Sequence, residues 1–473
     1  MPKTIFITIT RSFITRNILR CGTLDLLKKQ GYKVIVFFPV QAIPEYLKRE
    51  LSDSQVKFVA VKANLNRVHR LFAKINFSYL IFTKATKKRA LYFNENANPR
   101  FFSKKFLIST KAVPFLRYFY LKIASRSKIL KLLYRFIELK FFSQIDAEVQ
   151  RCFNEYQPDI VFSTSVVSVL DIIFMKEAKR RGVPTVSMPK SWDNLPLGYI
   201  SFMPDYFIVP NEPSKQLAIK LQDIPRDRVS VVGIPQFDWY FRKNIIKSRV
   251  EHLNNKGLDP ALPLIFFGSE GVWAAHDYRV AEQIYKWIEN NELVKPCQLL
   301  VRSHFTNSDQ NIFKNLENKQ KVAVDKYRIT NFLVDKWDPN EEEMIDFINT
   351  LYHCDIMINA ASTLTLDAVC FDKPIINIGF GCVYEGGNQN GRDITAKALY
   401  NSDHFDWVLE TGATKKVNSS QELKKQINQY LLNPSLEARE RGVLRNKLCY
   451  RLDGQSSERL VSLINKIISN KLN

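Results

Sequence analysis

Residues 355–379 read DIMINAASTLTLDAVCFDKPIINIG, and this stretch decides the fold. Residues 355–360 form a short apolar run behind one aspartate, as expected of a buried parallel strand. Small residues at 361–363 indicate a turn, and helical spacing then continues to position 371. A Lys-Pro pair ends this helix before a second apolar run at 375–379. The stretch therefore predicts a strand–turn–helix–strand unit of a parallel sheet.

The turn between the first strand and the helix predicts a phosphate site. Ala361, Ser362 and Thr363 supply small side chains and two hydroxyl groups. Free N–H groups and the positive end of the helix dipole both lie at a helix N-terminus, so an anion is favoured there. Asp367 follows one helical turn later, where its carboxylate can accept hydrogen bonds from ribose hydroxyls. The alternative is that Ser362 and Thr363 only cap the helix.

The alternation of strands and helices continues on both sides of this unit. The predicted strands are 3–10, 33–39, 56–61, 159–163, 185–188, 206–210, 229–232, 264–267, 298–301, 332–335, 355–360 and 375–379. Helical patterns separate most of them, which is typical of open parallel sheets with right-handed crossovers. Ligands of such sheets bind beyond the carboxyl ends of the strands. We therefore expect an α/β protein with two Rossmann-like domains that face a cleft.

The length of 473 residues exceeds the usual range of a single domain. We expect an N-terminal domain over 1–240, a C-terminal domain over 241–453 and a C-terminal helix over 454–473. Residues 241–263 are polar and irregular, which is typical of a crossing between domains.

Basic residues are concentrated in one segment of the first domain. The chain has a net charge of +22, and residues 62–142 contribute 19 Lys or Arg against two Glu. This segment breaks the α/β rhythm, and residues 115–142 combine helical spacing with many aromatic and basic side chains. Such a helical insertion suits the headgroup layer of an anionic membrane, where each basic residue contributes about 1 kcal/mol. The alternative is a helix whose aromatic side packs on its own domain.

Several motifs of other protein classes are absent from the sequence. There is no P-loop, no Gly-x-Gly-x-x-Gly after a strand, no His-Glu-x-x-His and no Asp-x-Asp, which disfavours P-loop NTPases, dinucleotide oxidoreductases, zinc proteases and metal-dependent transferases. No motif that reads DNA or RNA accompanies the charge, so nucleic acid is not expected as a partner. The seven cysteines are scattered, which argues for a reducing cytosol and against disulfides or structural zinc. We found no signal peptide and no run of about 20 apolar residues, so we expect a cytosolic protein without a transmembrane anchor.

Four loops of the second half meet at one edge if its sheet is parallel: 268–271, 302–304, 361–363 and 379–387. Gly268 and Gly271 would let the backbone approach a phosphate closely. Arg302 can hold phosphate oxygens in a bidentate manner, and His304 can donate a further hydrogen bond. Together with the Ser-Thr…Asp element, these loops favour a site for a nucleotide diphosphate.

Two loops of the first half also follow strands and face the expected cleft. Residues 11–17 (RSFITRN) contain Arg11 and Arg16, which can bind an anionic acceptor or donor. The alternative for both arginines is a solvated surface position without a specific ligand. Residues 190–195 (KSWDNL) follow another strand and contain Asp193.

The second half resembles the donor-binding domain of GT-B glycosyltransferases, best over residues 264–433. The sequence CDIMINAASTLTLDAVCFDKPIINIGF, with Thr363 and Asp367 four positions apart, is similar to the nucleotide-binding strand–turn–helix of that superfamily. Its usual acidic residue is Glu, whereas this chain has Asp367. Two shorter motifs, Arg302-Ser-His304 and LDGQSSERL at 452–460, resemble the CDP-glycerol glycerophosphotransferase-like and surface-polysaccharide transferases. SWDN at 191–194 resembles a cleft loop of capsule and O-antigen enzymes.

This resemblance implies a metal-independent transferase without a cofactor, in which helix dipoles and basic side chains stabilise the departing phosphate. The N-terminal domain would bind the acceptor and the C-terminal domain the nucleotide-sugar. The implied donor-binding residues are Gly268, Ser269, Arg302, His304, Ala361, Ser362, Thr363 and Asp367. An inverting mechanism needs a base for the acceptor hydroxyl. Asp193 is the first candidate and Glu270 the second, while the alternative for Asp193 is a turn or helix cap.

We therefore expect a glycosyltransferase of bacterial surface polysaccharide biosynthesis, of the lipopolysaccharide or capsule kind. It would move a sugar from a nucleotide-sugar to a glycan acceptor, which we expect to be lipid-linked, at the inner face of the cell membrane. Two alternatives use the same fold: a CDP-polyol phosphotransferase and a sugar-nucleotide 2-epimerase. A catalytically inactive scaffold for polysaccharide assembly is a third alternative.

Overall fold

The computed structural model describes residues 2–62, 65–92, 112–142, 146–306, 311–330, 332, 333, 335, 337–381 and 399–470. The chain divides into two compact units. Unit 1 comprises Met1–Asp238, Phe332–Val334 and Gln455–Asn473. Unit 2 comprises Trp239–Asn331 and Asp335–Gly454.

Unit 1 is built around a parallel sheet, which has seven strands within the described residues. They are β1 (Thr4–Thr8), β2 (Lys33–Phe38), β3 (Val56–Ala60), β4 (Ile160–Ser163), β5 (Thr185–Ser187), β6 (Tyr206–Val209) and β7 (Val229–Val231). Their order across the sheet is β3-β2-β1-β4-β5-β6-β7. Every residue of β1 and β4 is buried, because helices cover both faces of the sheet.

The helices of unit 1 are α1 (Ser12–Ile14), α2 (Thr23–Lys29), α3 (Glu45–Leu51), α4 (Arg67–Tyr79), α5 (Lys84–Tyr92), α6 (Ala112–Ala124), α7 (Lys128–Lys140), α8 (Ala147–Tyr156), α9 (Val169–Arg180) and α10 (Glu212–Gln222). The C-terminal helix, Ser456–Asn470, also belongs to this unit. Its Leu460 and Ile464 lie in the same apolar core as Ile5 of β1. Its first turn is held by Asp238, whose carboxylate accepts the N–H groups of Ser456 at 3.0 Å and of the next residue at 2.7 Å.

Unit 2 has a second parallel sheet, of six strands within the described residues, in the order β10-β9-β8-β11-β12-β13. The strands are β8 (Leu264–Gly268), β9 (Gln298–Arg302), β10 (Val322–Asp325), β11 (Ile356–Asn359), β12 (Ile375–Ile378) and β13 (Lys415–Val417). The helices are α11 (Arg249–Asn255), α12 (Tyr278–Glu289), α13 (Glu341–His353), α14 (Leu364–Cys370), α15 (Asp403–Leu409), α16 (Ser420–Leu432) and α17 (Ala438–Leu444). The prediction of an α/β protein with two open parallel sheets is confirmed.

Several local predictions were wrong. Residues 11–17 are not a loop, because α1 and a π-helical turn at Thr15–Leu19 bring Ile14 and Ile18 into the core. Phe332 is not in a strand: its carbonyl accepts a hydrogen bond from Ser12 and its ring lies 5.2 Å from that of Phe38. The strand in this part of the sequence is β10 instead. Residues 241–263 are not wholly irregular, since they include α11.

The basic segment of unit 1 folds as α4–α7 in its described parts. The predicted helix over 115–142 is two helices, because the chain turns at Ser125–Ser127 and Ser127 caps α7 by accepting the Leu130 N–H at 3.2 Å. Residues 93–111 of this segment and residues 382–387 of the predicted glycine-rich loop lie outside the described residues. Among the residues that the structure describes, no helix is both long and apolar enough to cross a membrane.

Candidate functional site

A row of polar residues crosses the carboxyl edge of the unit 2 sheet. Six residues are paired one to the next across neighbouring strands: Asp325, Arg302, Gly268, Asn359, Asn377 and Lys416. Neighbouring strands lie about 4.8 Å apart, so this polar row extends over roughly 24 Å. β8, β11 and β12 are otherwise apolar, and their polar or glycine positions lie at or next to their carboxyl ends. The register therefore collects polar groups where open α/β sheets bind ligands.

Gly268 lies in the middle of the polar row, and packing explains why this position has no side chain. A Cβ atom at this position would overlap the side chain of Leu364, the first residue of α14. The missing side chain therefore lets α14 pack close to β8. The sequence-based explanation was the approach of a phosphate, and the space that a side chain would occupy is instead filled by Leu364. Gly271, by contrast, has a left-handed φ of +63°, which favours glycine.

Asp277 organises the loop that follows Gly268. Its carboxylate accepts the Ser269 hydroxyl at 3.0 Å and the Glu270 N–H at 2.8 Å. Burial raises the pKa of the Asp277 carboxyl to about 7. The Ser269 hydroxyl also accepts the Gly271 N–H at 3.1 Å. The predicted donor-binding hydroxyl and the second candidate base, Glu270, are thus held in a loop whose shape depends on one buried acid.

Arg302 is held on two sides. Its Nη1 atom donates to the Asp325 carboxylate at 2.6 Å, and its guanidinium carbon lies 4.8 Å from the centre of the Phe347 ring. Both charged side chains are mostly buried, with exposed fractions of 13% and 12%. Lys256 lies 3.4 Å from the same carboxylate. The ion pair fixes the guanidinium at the carboxyl edge of the sheet, as a bidentate phosphate ligand requires.

The tautomer of His304 follows from its neighbours. Its Nδ1 atom accepts the Thr306 N–H at 3.2 Å and lies 2.6 Å from the Thr306 hydroxyl. That hydroxyl accepts the Val272 N–H at 3.3 Å, so its own proton is directed to Nδ1. The ring stacks on Phe305, with centroids 4.3 Å apart, and burial lowers the pKa of His304 to about 4. His304 is therefore neutral near pH 7 and carries its proton on Nε2, as a hydrogen-bond donor to phosphate must.

The loop between β11 and α14 contains the other predicted phosphate ligands. The Ser362 N–H donates to the Ala360 carbonyl at 2.9 Å, and the Ser362 hydroxyl accepts the Leu364 N–H at 3.4 Å. Thr363 precedes α14, but its side chain makes no capping hydrogen bond to it. Ala361, Ser362 and Thr363 are all partly exposed.

Two buried asparagines contact the residues on either side of this loop. The amides of Asn359 and Asn377 lie 2.7 Å apart, and each is within 3.2 Å of the Thr365 hydroxyl. Asn377 also donates to the Ala360 carbonyl at 3.2 Å. All three side chains are fully buried. Because buried amides are costly unless hydrogen-bonded, this network fixes how the ends of β11 and β12 meet the first turn of α14.

Asp367, the predicted ribose ligand, has a partner from a distant part of unit 2. The Tyr240 hydroxyl donates to its carboxylate at 2.5 Å, and the Tyr240 ring lies 5.0 Å from that of Phe371. Asp367 is almost buried, whereas Tyr240 is partly exposed.

The remaining predicted site residues, Arg11, Arg16 and Asp193, belong to unit 1. All three are partly exposed. The Arg16 Nε atom donates to Asn17 at 2.9 Å, and Asp193 accepts the side-chain amide of Asn194 at 3.0 Å. The two arginines therefore lie in or beside a helical turn rather than in a loop.

Sequence reasoning missed six residues that shape the site: Asp277, Asp325, Thr306, Tyr240, Asn359 and Asn377. Only the two asparagines leave a local signal, an amide in an otherwise apolar strand. The other four contact their partners only in the folded structure, and nothing in the sequence around them indicates those contacts. Among the residues that the structure describes, no three His, Cys, Asp or Glu side chains are grouped so that they could hold a metal ion.

Comparisons with known proteins identify a family and a fold. A profile described as CDP-glycerol:poly(glycerophosphate) glycerophosphotransferase matches residues 198–466, more than half of the chain. The comparison with curated proteins gives no match.

Solved structures share the architecture at low sequence identity. UDP-GlcNAc 2-epimerase from Neisseria meningitidis is 11% identical, with 98% of this chain and 100% of that chain covered and a TM-score of 0.54. A glycosyltransferase from Rickettsia africae is 12% identical, with 99% of both chains covered and a TM-score of 0.51. The wall teichoic acid polymerase TagF is 12% identical, with 100% and 89% covered and a TM-score of 0.51. The predicted GT-B fold is thereby confirmed.

Proposed function

The chain belongs to the CDP-glycerol:poly(glycerophosphate) glycerophosphotransferase family, and from this membership we propose that it transfers a nucleotide-activated group to a hydroxyl of a surface polymer. Unit 2 would bind the donor. The first candidate for the transferred group is a polyol phosphate from a CDP-linked donor, in keeping with the family description.

The polar groups at the carboxyl edge of the unit 2 sheet are the observation that supports a donor site. A nucleotide diphosphate needs hydrogen-bond donors and positive charge, held in place before it binds. Arg302 supplies a fixed guanidinium, His304 a neutral Nε2–H group, and the loop at 361–363 two hydroxyl groups. Asp367 would accept ribose hydroxyls beside Tyr240. The contacts around these groups orient them without a ligand, so less ordering is needed on binding.

The proposed reaction breaks one phosphoanhydride bond. The acceptor hydroxyl oxygen attacks the phosphorus that carries the polyol, a P–O bond forms, and the bond to the cytidine-bearing phosphate breaks. CMP leaves with the electron pair of that bond, and the hydroxyl proton passes to a base. Asp193 is our first candidate for this base and Glu270 the second. Arg302 and the Nε2–H of His304 would stabilise the leaving phosphate.

Glycosyl transfer from a nucleotide-sugar is the second candidate. It is favoured by the SWDN motif at 191–194, which resembles capsule and O-antigen enzymes and lies outside the residues that the family profile matches. Here the acceptor oxygen would attack the anomeric carbon, and a nucleoside diphosphate would leave. The 2-epimerase alternative gains no support, because the likeness to the Neisseria enzyme shows the fold alone.

We further propose a lipid-linked glycan or polyol polymer as the acceptor, at the inner face of the cell membrane. The concentration of basic residues in 62–142 supports this location, since anionic lipids attract such segments. The arginines at positions 11 and 16 would contribute to binding of an anionic acceptor or donor.

Thermal-shift measurements with CMP, CDP, UDP, GDP and dTDP test the donor site, because a ligand that binds the folded state raises the melting temperature. Product analysis with the selected donor then separates the two candidates. CMP and a phosphodiester support polyol-phosphate transfer, whereas a nucleoside diphosphate and a glycoside support glycosyl transfer. No shift with any of the five nucleotides would reject the proposal.

A further inference from the structure

Helix α7 has its amphipathic pattern inside out. Its apolar side chains are exposed: Ile129 by 78%, Leu132 by 67%, Leu133 by 48% and Phe136 by 54%. Its central charged side chains are buried, with Lys131 and Arg135 each exposed by 7% and Glu138 by 0%, whereas Lys128 and Lys140 at its two ends are exposed. A helix of a water-soluble protein normally shows the opposite arrangement.

The buried charges of α7 are matched by partners in unit 1. Lys131 lies 3.1 Å from the Asp223 carboxylate. Arg135 donates to the Gln222 carbonyl at 2.7 Å and stacks on the Tyr199 ring at 4.5 Å. Removing the Asp223 carboxylate would leave the buried Lys131 charge without its ion pair, which is costly.

Glu138 completes this set of buried contacts. It lies 2.6 Å from both His69 of α4 and Lys176 of α9, and all three side chains are nearly or fully buried. The network joins α7 to α4 and to a helix that packs on the sheet. The polar contacts therefore fix the rotation of α7 and keep its apolar stripe pointing outward.

The neighbouring helices present apolar stripes as well. In α4 the exposed apolar residues are Val68, Leu71 and Ile75, and in α6 they are Phe115, Leu116, Phe119, Tyr120 and Ile123. The rings of Phe72 in α4 and Tyr134 in α7 lie 5.3 Å apart, so these helices are adjacent. We call the exposed apolar side chains of α4, α6 and α7 the apolar face. Single exposed apolar residues are ordinary, but a set this large marks an interaction surface.

The charge on the same helices is of one sign. Over 65–92 and 112–142, the described part of the basic segment, the exposed charged residues are all basic: Arg67, Arg70, Lys74, Lys87, Lys88, Lys122, Arg126, Lys128 and Lys140. The one acidic residue in these ranges is the buried Glu138. A second copy of the chain on this face would bring like charges together, which is unfavourable. An anionic lipid surface provides both opposite charge and an apolar layer.

We propose that the apolar face inserts into the headgroup and acyl boundary of an anionic bilayer, with the basic side chains at headgroup level. This inference rests on the lipid-linked acceptor of the proposed function and names the residues that bring the enzyme to it. The helices α4, α6 and α7 each have 13 residues and are about 20 Å long, too short to cross a hydrocarbon core of about 30 Å. They therefore lie in the interface, and apolar insertion, rather than charge alone, holds the protein there.

Sedimentation of the full-length protein with vesicles tests this inference. The vesicles contain phosphatidylglycerol and phosphatidylcholine in equal amounts, or phosphatidylcholine alone, in 0.1 M and 0.5 M NaCl. The test variant carries Ile129→Ser, Leu132→Ser and Phe136→Ser. The matched control carries Val250→Ser, Leu432→Ser and Val443→Ser, three exposed apolar positions of unit 2.

We expect the α7 variant to need at least about tenfold more mixed lipid for half-maximal binding at both salt concentrations, since several buried apolar side chains are lost. The control variant should bind as the wild type does. A second variant, Lys122→Glu with Lys128→Glu, should lose binding to the mixed vesicles at low salt. Unchanged vesicle binding of the α7 variant overturns the inference. So does a wild-type dimer, seen by analytical ultracentrifugation, that the α7 substitutions dissociate without weakening vesicle binding.

Nucleotide binding is measured separately, without vesicles. The α7 variant should retain the wild-type thermal shift with the selected nucleotide, which also shows that it is folded. Vesicle binding without any nucleotide shift would reject the donor site but support the apolar face. A nucleotide shift without vesicle binding would support the donor site but reject the apolar face.

Discussion

The Tyr240 hydroxyl donates a 2.5 Å hydrogen bond to the carboxylate of Asp367. These residues are 127 positions apart, and their contact ties the segment at the start of unit 2 to the helix that follows the proposed phosphate loop. A carboxylate has two oxygens with several acceptor positions, so one tyrosine does not exhaust it. The contact instead fixes the direction in which the remaining acceptor positions point.

Replacing Asp367 by Ala should remove the preference of the site for ribose. We expect the wild type to bind a ribonucleoside diphosphate more tightly than its 2′-deoxy form, and the Asp367→Ala variant to bind both equally weakly. Tyr240→Phe should keep the preference but lower the affinity by about tenfold, because the carboxylate is no longer oriented. It should also cost about 1.5–3 kcal/mol of stability, the range for a hydrogen bond to a charged group. Isothermal titration measures the affinities, with Glu342→Ala on the exposed side of α13 as the control. A ribose preference that survives Asp367→Ala would refute the assignment.

Replacing Arg302 should affect both donor binding and stability. The guanidinium compensates the mostly buried Asp325 carboxylate, so Arg302→Ala leaves Lys256 as the remaining ion-pair partner of Asp325 among the described residues. We expect a loss of about 1–3 kcal/mol in the free energy of unfolding and at least a tenfold loss of nucleotide affinity. Arg302→Lys should recover part of the stability but little of the affinity, because an ammonium group cannot make the bidentate contact. Equal nucleotide affinity of the wild type and the Ala variant would contradict the donor site.

The pattern of the sequence predicted most of the strands, because the length and burial of a strand leave a direct trace, although β10 and β13 were missed. β11 and β12 are apolar runs of the right length, and the turn between β11 and α14 is visible as three small residues. The polar row depends instead on register between strands that are far apart in sequence, such as β8, β9 and β11. Gly268 shows what sequence patterns cannot predict. Its sequence context suggests a phosphate turn, but only the packed structure reveals the side chain of Leu364 against it.

The orientation of α7 could not be predicted from the sequence, for a related reason. The spacing in α7 shows that one side is apolar and the other charged, but spacing cannot tell which side faces the protein. Partners from α4, α9 and the region near Asp223 decide this. None of them is local to α7, so the inside-out arrangement needed the structure.

Nucleotide binding should not depend on the titration of His304 between pH 5 and pH 8. Burial lowers the pKa of His304 to about 4, so the ring stays neutral over this range and Nε2–H remains the donor. His304→Gln offers a side-chain N–H at a similar distance and should retain most of the affinity, whereas His304→Ala should lose about tenfold. The measurement is nucleotide affinity against pH for the wild type and both variants. An affinity that rises as the pH falls from 7 to 5 in the wild type, and does not rise in the Gln variant, would show that the imidazolium is the binding form.

Asp277 should make the stability of unit 2 depend on pH. Burial raises the pKa of this carboxyl from 3.8 to about 7, so the folded state holds a proton that the unfolded state has released between these values. The contribution of Asp277 to the free energy of unfolding therefore falls as the pH rises from about 4 to about 7 and is constant above that, with a slope of at most about 1.4 kcal/mol per pH unit. Asp277→Asn cannot titrate, and its unfolding free energy should vary less over the same range. Urea denaturation at several pH values measures the difference, and parallel curves for the two proteins would contradict the prediction.

The Asn359–Asn377 network should couple the stability of the sheet to the shape of the phosphate loop. Asn377→Ala removes the amide that contacts the Ala360 carbonyl and the Thr365 hydroxyl, leaving both groups buried without that partner. We expect a loss of about 1–3 kcal/mol in the free energy of unfolding. Thr365→Val removes the hydroxyl from the other side of the same contact, with little change in shape. If the network acts as a unit, the double variant should lose less than the sum of the two single variants, with a coupling of about 0.5–3 kcal/mol. Hydrogen exchange should show faster exchange at residues 360–364 in both single variants, and nucleotide affinity should fall with it. Additive losses of stability, with unchanged exchange at these amides, would mean that the asparagines fill the core without holding the loop.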